Sequence, residues 1–154
     1  MYLIDGHNLI PKLGLRLDSF DDEEALVARL QEFSRLRRAQ VEVYFDGAPL
    51  GQAARRKIGT VVAHFVHQGS TADAAIEQRL LKMGKSARNC TVVSSDRRVQ
   101  NAARAVHAQV ISSEEFTIQM QNAQNARQLT SNGDATISPA EVDEWLSLFK
   151  HRKG

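Results

Sequence analysis

The feature that most constrains this chain is a short apolar run that stops on an acid. Tyr2-Leu3-Ile4 is followed at once by Asp5-Gly6-His7-Asn8. A run that short, bounded by glycine and polar residues, predicts a buried strand that delivers a carboxylate to the loop at its carboxyl end. The pattern recurs. Residues 41–45 form a β-branched and aromatic run ending in Asp46-Gly47, and residues 91–94 lead through Ser95 to Asp96. Asp73 follows the apolar stretch 61–66 and opens a helical pattern.

Helical periodicity fills the intervals. Leu26, Leu30 and Phe33 give a buried stripe to a helix over 22–38, which starts in acids near Ser19 and ends in Arg35, Arg37 and Arg38, as the helix dipole favours. Pro11 and Gly14 mark a loop before it. Further helices are predicted over 71–85, 97–107 and 112–127, the last opened by a Ser112 and Glu115 capping box. Residues 109–111 form a short fifth strand, and 51–59 a polar connection carrying Arg55, Arg56 and Lys57. A loop over 130–138 precedes a terminal helix holding Trp145 and Phe149. This divides the chain into a domain over 1–128 and a loop-plus-helix extension over 129–154. Strands alternating with helices predict a parallel sheet covered on both faces. Right-handed crossovers then bring the carboxyl ends of the strands to one edge, where such sheets bind ligands.

Each aspartate has a modest explanation. Asp5-Gly6 and Asp46-Gly47 are turn dipeptides. Asp73 could answer Ser70 in a capping box, and Asp96 could cap the helix after it. Their conjunction says more. Four carboxylates on one edge, with no evident basic partners among them, repel one another, and a divalent cation removes that conflict. Oxygen donors select Mg²⁺ or Mn²⁺ over zinc, and such ions assist phosphodiester hydrolysis.

The ordered set Ile4-Asp5-Gly6-His7-Asn8, Phe45-Asp46-Gly47, Thr71-Ala72-Asp73 and Ser94-Ser95-Asp96 resembles the YacP-like branch of the NYN domains, within the PIN-like ribonuclease superfamily. The resemblance spans about residues 1–121. It implies a three-layer α/β/α sandwich on a parallel five-stranded sheet of order 3-2-1-4-5. It also implies metal-dependent endonucleolytic cleavage of RNA, with a role on messenger RNA at the ribosome. Carried over, Asp5, Asp73 and Asp96 are expected metal ligands, and Asp46 joins them as a catalytic residue that binds metal directly or through water. Asn8 could orient a water or a phosphate, and Ser94 and Ser95 could hydrogen-bond a carboxylate or phosphate. Glu77, one helical turn after Asp73, is either a supporting acid or a solvated one. Many PIN-like members carry another acid after the fourth-strand aspartate, where this chain has Arg97 and Arg98. One firmly held ion, with a second arriving with substrate, fits that change. Arg97, Arg55, Arg56 and Lys57 are candidate phosphate contacts. The alternative is a non-catalytic RNA- or ribosome-binding module of the same fold.

Other signals exclude more than they add. The formal net charge is +2, so nucleic acid would be held by local patches. The single cysteine, Cys90, cannot form an internal disulfide and fits a reducing cytoplasm. No apolar run approaches the roughly 20 residues that cross a membrane, and no secretory signal is evident. His64 and His67 are expected on opposite faces of a strand and make poor partners for one metal. Neither a phosphate-binding GxxxxGK[ST] loop nor GxGxxG is present, so no nucleotide cofactor is indicated.

Overall fold

The computed structural model describes residues 1–14, 20–48, 53–67 and 69–136. Strand β1 (Tyr2–Asp5) runs into a single helical turn, α1 (Gly6–Leu9), and a 3-10 turn over Ile10–Leu13. The segment expected as a turn and loop is therefore helical until Gly14, whose φ of 77° ends it. Helix α2 (Phe20–Arg37) stops where Arg38 turns left-handed at φ 52°. Next come β2 (Val41–Ala48), β3 (Arg55–Ile58), β4 (Val61–His67), α3 (Ala72–Met83), β5 (Thr91–Val93), α4 (Arg97–Ala105), β6 (Gln109–Ile111) and α5 (Ser113–Thr136).

Two expectations are corrected. The sheet has six strands in the order β3-β4-β2-β1-β5-β6, and it is mixed. The order thus differs from the expected five-stranded one by β3, which pairs antiparallel with β4 at the edge. Its sequence, Arg-Arg-Lys-Ile, carries no apolar alternation because an edge strand can leave its side chains in water. Secondly, α5 continues to Thr136, so residues 130–136 are helical where a loop was expected. The terminal helix expected after residue 138, with Trp145 and Phe149, and Ser19 lie outside the described residues.

Strand alternation sorts the core into two layers. Ile4, Val43, Phe45 and Phe65 face α2 and α5, meeting Leu30, Phe33 and Phe116. Leu3, Tyr44 and Val92 face α3 and α4, meeting Ile76, Leu80, Val99 and Ala103. Cys90 is fully buried in this second layer, its sulfur 3.5 Å from that of Met83. Among the described residues no helix is long and apolar enough to cross a membrane.

Strand β1 is central. Residue Asp5 pairs with Tyr44 of β2, and Ile4 with Val93 of β5. The chain passes from β1 to β2 on one side, and later from β4 across to β5 on the other. The strand order therefore reverses at β1, and the crevice beside Asp5 is the switch point where open α/β sheets bind ligands.

Candidate active site

Three short connections build the site. The residue after each apolar strand run must leave the sheet, and in three cases it leaves into a helix start. Asp5 ends β1, Asp73 lies in the first turn of α3, and Asp96 caps α4 by accepting from the Arg98 N–H at 2.8 Å. The positive ends of two helices thus face a set of acids. Thr71, not Ser70, caps α3, accepting from Ala74 N. Asp46 adds a contact from the neighbouring strand, because its Oδ1 accepts the N–H of Ala72. Asp46 and Asp96 each commit one oxygen to a helix end, and no protein donor takes the second among the described residues.

The acids repel one another. Asp5 is 6% exposed. Burial, then the charges of Asp73 and Asp46, push its carboxyl up to about 6. Asp73 is raised by burial and then by Asp96 and Asp46, with Arg98 acting against them. All four acids therefore lie within one electrostatic cluster.

The expected absence of basic partners is only partly met. Arg98, from the first turn of α4, grips Glu77 through Nε at 2.7 Å and Nη2 at 3.3 Å. That pair borders Asp73 and gives Glu77 a structural partner. Arg97 is exposed beside it. Among the described residues no three acidic, histidine or cysteine side chains form a ready-made metal centre. The donor set still suits a hard cation, since every available group is a carboxylate oxygen. Mg²⁺ characteristically takes one or two carboxylates and keeps water and substrate oxygens for the rest.

The polar residues around the acids have structural partners that sequence alone does not reveal. Ser94 is fully buried, and its hydroxyl lies 3.5 Å from Asp5 Oδ2 while accepting the Asp96 N–H at 3.1 Å. It ties the ends of β1 and β5 together. Asn8 uses its carbonyl oxygen for the Ser95 N–H, at 2.9 Å, and for the Ser113 hydroxyl. Ser95 in turn donates to Glu114 at 2.8 Å, and Glu114 meets Lys12 at 2.9 Å. These bonds latch α1 and α5 to the loop that carries Asp96. His7 is held by Glu23 of α2 at 3.1 Å and lies 5.5 Å from the Phe45 ring.

Arg55, Arg56 and Lys57 do not join this cluster as one patch. They sit exposed on β3, three strand spacings from β1, about 14 Å. Their side chains alternate between the two faces of the sheet. This edge position sets the three candidate phosphate contacts apart from the carboxylates themselves.

Gly6 is fixed by space. A Cβ there would lie 2.4 Å from Phe45 Cε1 and 2.9 Å from the Tyr44 carbonyl oxygen. Gly6→Ala should destabilise the protein by about 1–3 kcal/mol through overpacking, measured by urea denaturation. An unchanged midpoint would show that the Phe45 ring moves aside freely.

A second polar group was missed by sequence reading. Glu42, 6% exposed, accepts from Arg79 through Nε at 3.1 Å and Nη2 at 3.0 Å, and from the Tyr44 hydroxyl at 3.0 Å. His64 Nε2 lies 3.1 Å from it, and the His64 ring stacks on Tyr44 with centroids 4.4 Å apart. The signal was a lone acid inside a β-branched run.

A family model described as the YacP-like NYN domain matches residues 2–148. The chain belongs to the YacP-like NYN family. A crystal structure of Rae1 (YacP) from Bacillus subtilis is similar at 25% identity and a TM-score of 0.67, covering 100% of this chain and 95% of that one. A tryptophan-to-leucine mutant of the same protein gives a TM-score of 0.69 at 22% identity, covering 93% and 88%. Among curated proteins nothing matches. The YacP-like match takes in all four acids and continues past α5 into residues beyond those described.

Proposed function

We propose that the protein is a metal-dependent endoribonuclease hydrolysing RNA phosphodiester bonds, in the cytoplasm, with messenger RNA at the ribosome as its setting. The observation that carries this reading is the placement of Asp5, Asp46, Asp73 and Asp96 together at the switch point of the sheet. Membership of the YacP-like NYN family supports it, since NYN domains are generally nucleases.

In this reading Asp5, with one or both of Asp73 and Asp96, would hold a Mg²⁺ or Mn²⁺ ion whose other ligands are water and substrate oxygens, with Asp46 in support. A divalent cation there would supply Lewis acidity to a phosphodiester and offset the charge of its leaving oxygen. Asp5 has to be ionised to serve, and the cation's positive charge would favour that form over the protonated one that burial promotes. Ser94 orients Asp5 from the strand end. The helix starts of α3 and α4 hold Asp46 and Asp96 in place. Asn8 and Ser95 fix the loop on which Asp96 sits, so their part is positioning. Arg97, exposed at the rim, is a phosphate contact.

The test is cleavage of an end-labelled single-stranded RNA by purified protein in Mg²⁺ or Mn²⁺. Cutting is expected with metal, lost in EDTA and restored by excess Mn²⁺. Cutting that persists in EDTA would refute the metal assignment. The second reading, a non-catalytic RNA-binding module, draws on Arg98 and Glu77 occupying the border of the site. It is favoured if RNA binds but stays intact under every metal condition.

A further inference from the structure

One face of the sheet is left partly open. Helix α3 packs on β1 and β2. Along β4, Val61, Ala63 and Phe65 are buried against the α2 side, while Val62, His64 and Val66 on the α3 side stay half-buried. Register extends this face onto β3, where Arg55 lies opposite His64 and Lys57 opposite Val62. Both bases are exposed and stand two residues apart on one face, about 7 Å along the strand. A groove of about 340 Å³ runs there, lined by Arg55, Lys57, Arg79 and Val62 and reaching Met1 and Gln40 at the amino ends of β1 and β2. Arg79 is anchored on Glu42 through Nε and Nη2, which leaves Nη1 unused by that pair. Glu42 offsets the charge of Arg79, so the groove keeps the two positive charges of Arg55 and Lys57.

Arg56 leaves the strand on the other side. It lines a separate, apolar cavity of about 160 Å³ with Glu23 and Glu24, whose acids compete with any anion. The three basic residues are adjacent in sequence but divided by the pleat.

The groove lies toward the amino ends of β1 and β2, and Arg55 marks its end nearer the carboxylates. Arg55 is level with His64 and, across it, with Tyr44 of β2. Tyr44 precedes Asp46 by two residues, so Arg55 stands about 7 Å back from the acid edge and two strand spacings, about 10 Å, to the side. A strand whose scissile phosphate lies at the acids can therefore run back over β4 and β3. The repeat of Arg55 and Lys57 along β3 is comparable with the step between successive phosphates of an extended chain.

We propose that this open face of β4 and β3 is the track for the RNA backbone flanking the cleaved bond, with Arg55 and Lys57 contacting two phosphates and Arg79 lying beneath. This rests on the nuclease reading and adds to it the path of the substrate. The partner is single-stranded RNA, because a sheet face with exposed cations on its edge strand suits a flexible polyanion.

The experiment is fluorescence anisotropy with a labelled single-stranded RNA in EDTA, so that binding is read without cleavage, over a series of salt concentrations. Arg55→Ala/Lys57→Ala should weaken binding about tenfold and reduce the slope of log K against log salt by about 1.4, as expected for two lost phosphate contacts. Arg56→Ala should bind within about twofold of the native protein, its charge facing Glu23 and Glu24. Circular dichroism melts confirm that each variant is folded, as exposed positions allow. An unchanged double variant, equal losses in Arg56→Ala and the double variant, or no RNA binding by the native protein would each overturn the track. Loss of metal-dependent cutting in Asp5→Asn bears separately on the nuclease reading.

Discussion

Asp5→Asn is expected to reduce RNA cleavage by about a hundredfold or more, and to make the metal-free protein more stable at neutral pH by about 1–3 kcal/mol. The two effects share one cause. Asp5 is almost fully buried, beside Asp73 and Asp46. Its carboxyl is raised from 3.8 to about 6, so the fold prefers the protonated form. The stability from that preference is fully present below the unfolded value near 3.8 and is lost as pH rises through about 6. At pH 7 the native protein keeps a buried charge among like charges, and asparagine keeps an acceptor for the Ser94 hydroxyl without it. Chemical denaturation of both proteins in EDTA between pH 4 and 8 measures the difference. The gap should widen as pH rises through 4–6, and added Mn²⁺ should narrow it by stabilising only the native protein. A loss of stability in Asp5→Asn at pH 7 would mean that its carboxylate is held by favourable contacts rather than tolerated.

Arg79→Met is the second large effect, and it is read in stability. Burial by itself would raise the Glu42 carboxyl, but hydrogen bonds from His64, Arg79 and Tyr44, with the Arg79 charge, outweigh it and bring the value down to about 2. Removing the guanidinium leaves a buried carboxylate without its ionic partner, at a cost of about 3–5 kcal/mol. Glu42 is a depressed group, so its contribution is present above the unfolded carboxylate range near 4.5 and is lost as pH falls toward 2. The native protein should therefore lose more stability than Arg79→Met between pH 5 and 3. Glu42→Leu/Arg79→Met, which removes both charges, should recover most of the loss, because no unpaired ion remains. Urea midpoints for the two variants decide this. A double variant no more stable than Arg79→Met would show that the packing of Arg79, not the charge of Glu42, carries the effect.

What the sequence discloses here follows how local each cause is. The strand runs at β1, β2, β4, β5 and β6 are short, apolar and bounded by turn residues, so they are readable without neighbours. The four acids are readable because each ends a run or opens a helix. The edge strand β3 is not, since nothing in Arg-Arg-Lys-Ile shows that its backbone will pair with β4. That omission also hid the separation of Arg56 from Arg55 and Lys57, which only pairing defines. Nothing near Asn8 in sequence discloses that its carbonyl accepts from Ser95 and Ser113, the latter 105 positions away in the chain. Glu42 meets Arg79 across 37 positions, a separation at which no periodicity connects two charges. At 130–136 the Ser-Asn-Gly-Asp composition suggested a loop, but the helix started at Ser113 carries through it. Propensity is a weak prior there.

The acids carry the functional account, and one measurement bears on them most directly. Crystals soaked in Mn²⁺ should give an anomalous peak within coordination distance of Asp5 and at least one of Asp73 and Asp96, with Asp46 beside it. A peak elsewhere, with the four carboxylates left apart and bare at a Mn²⁺ concentration that supports cleavage, would contradict the metal site at the centre of this account.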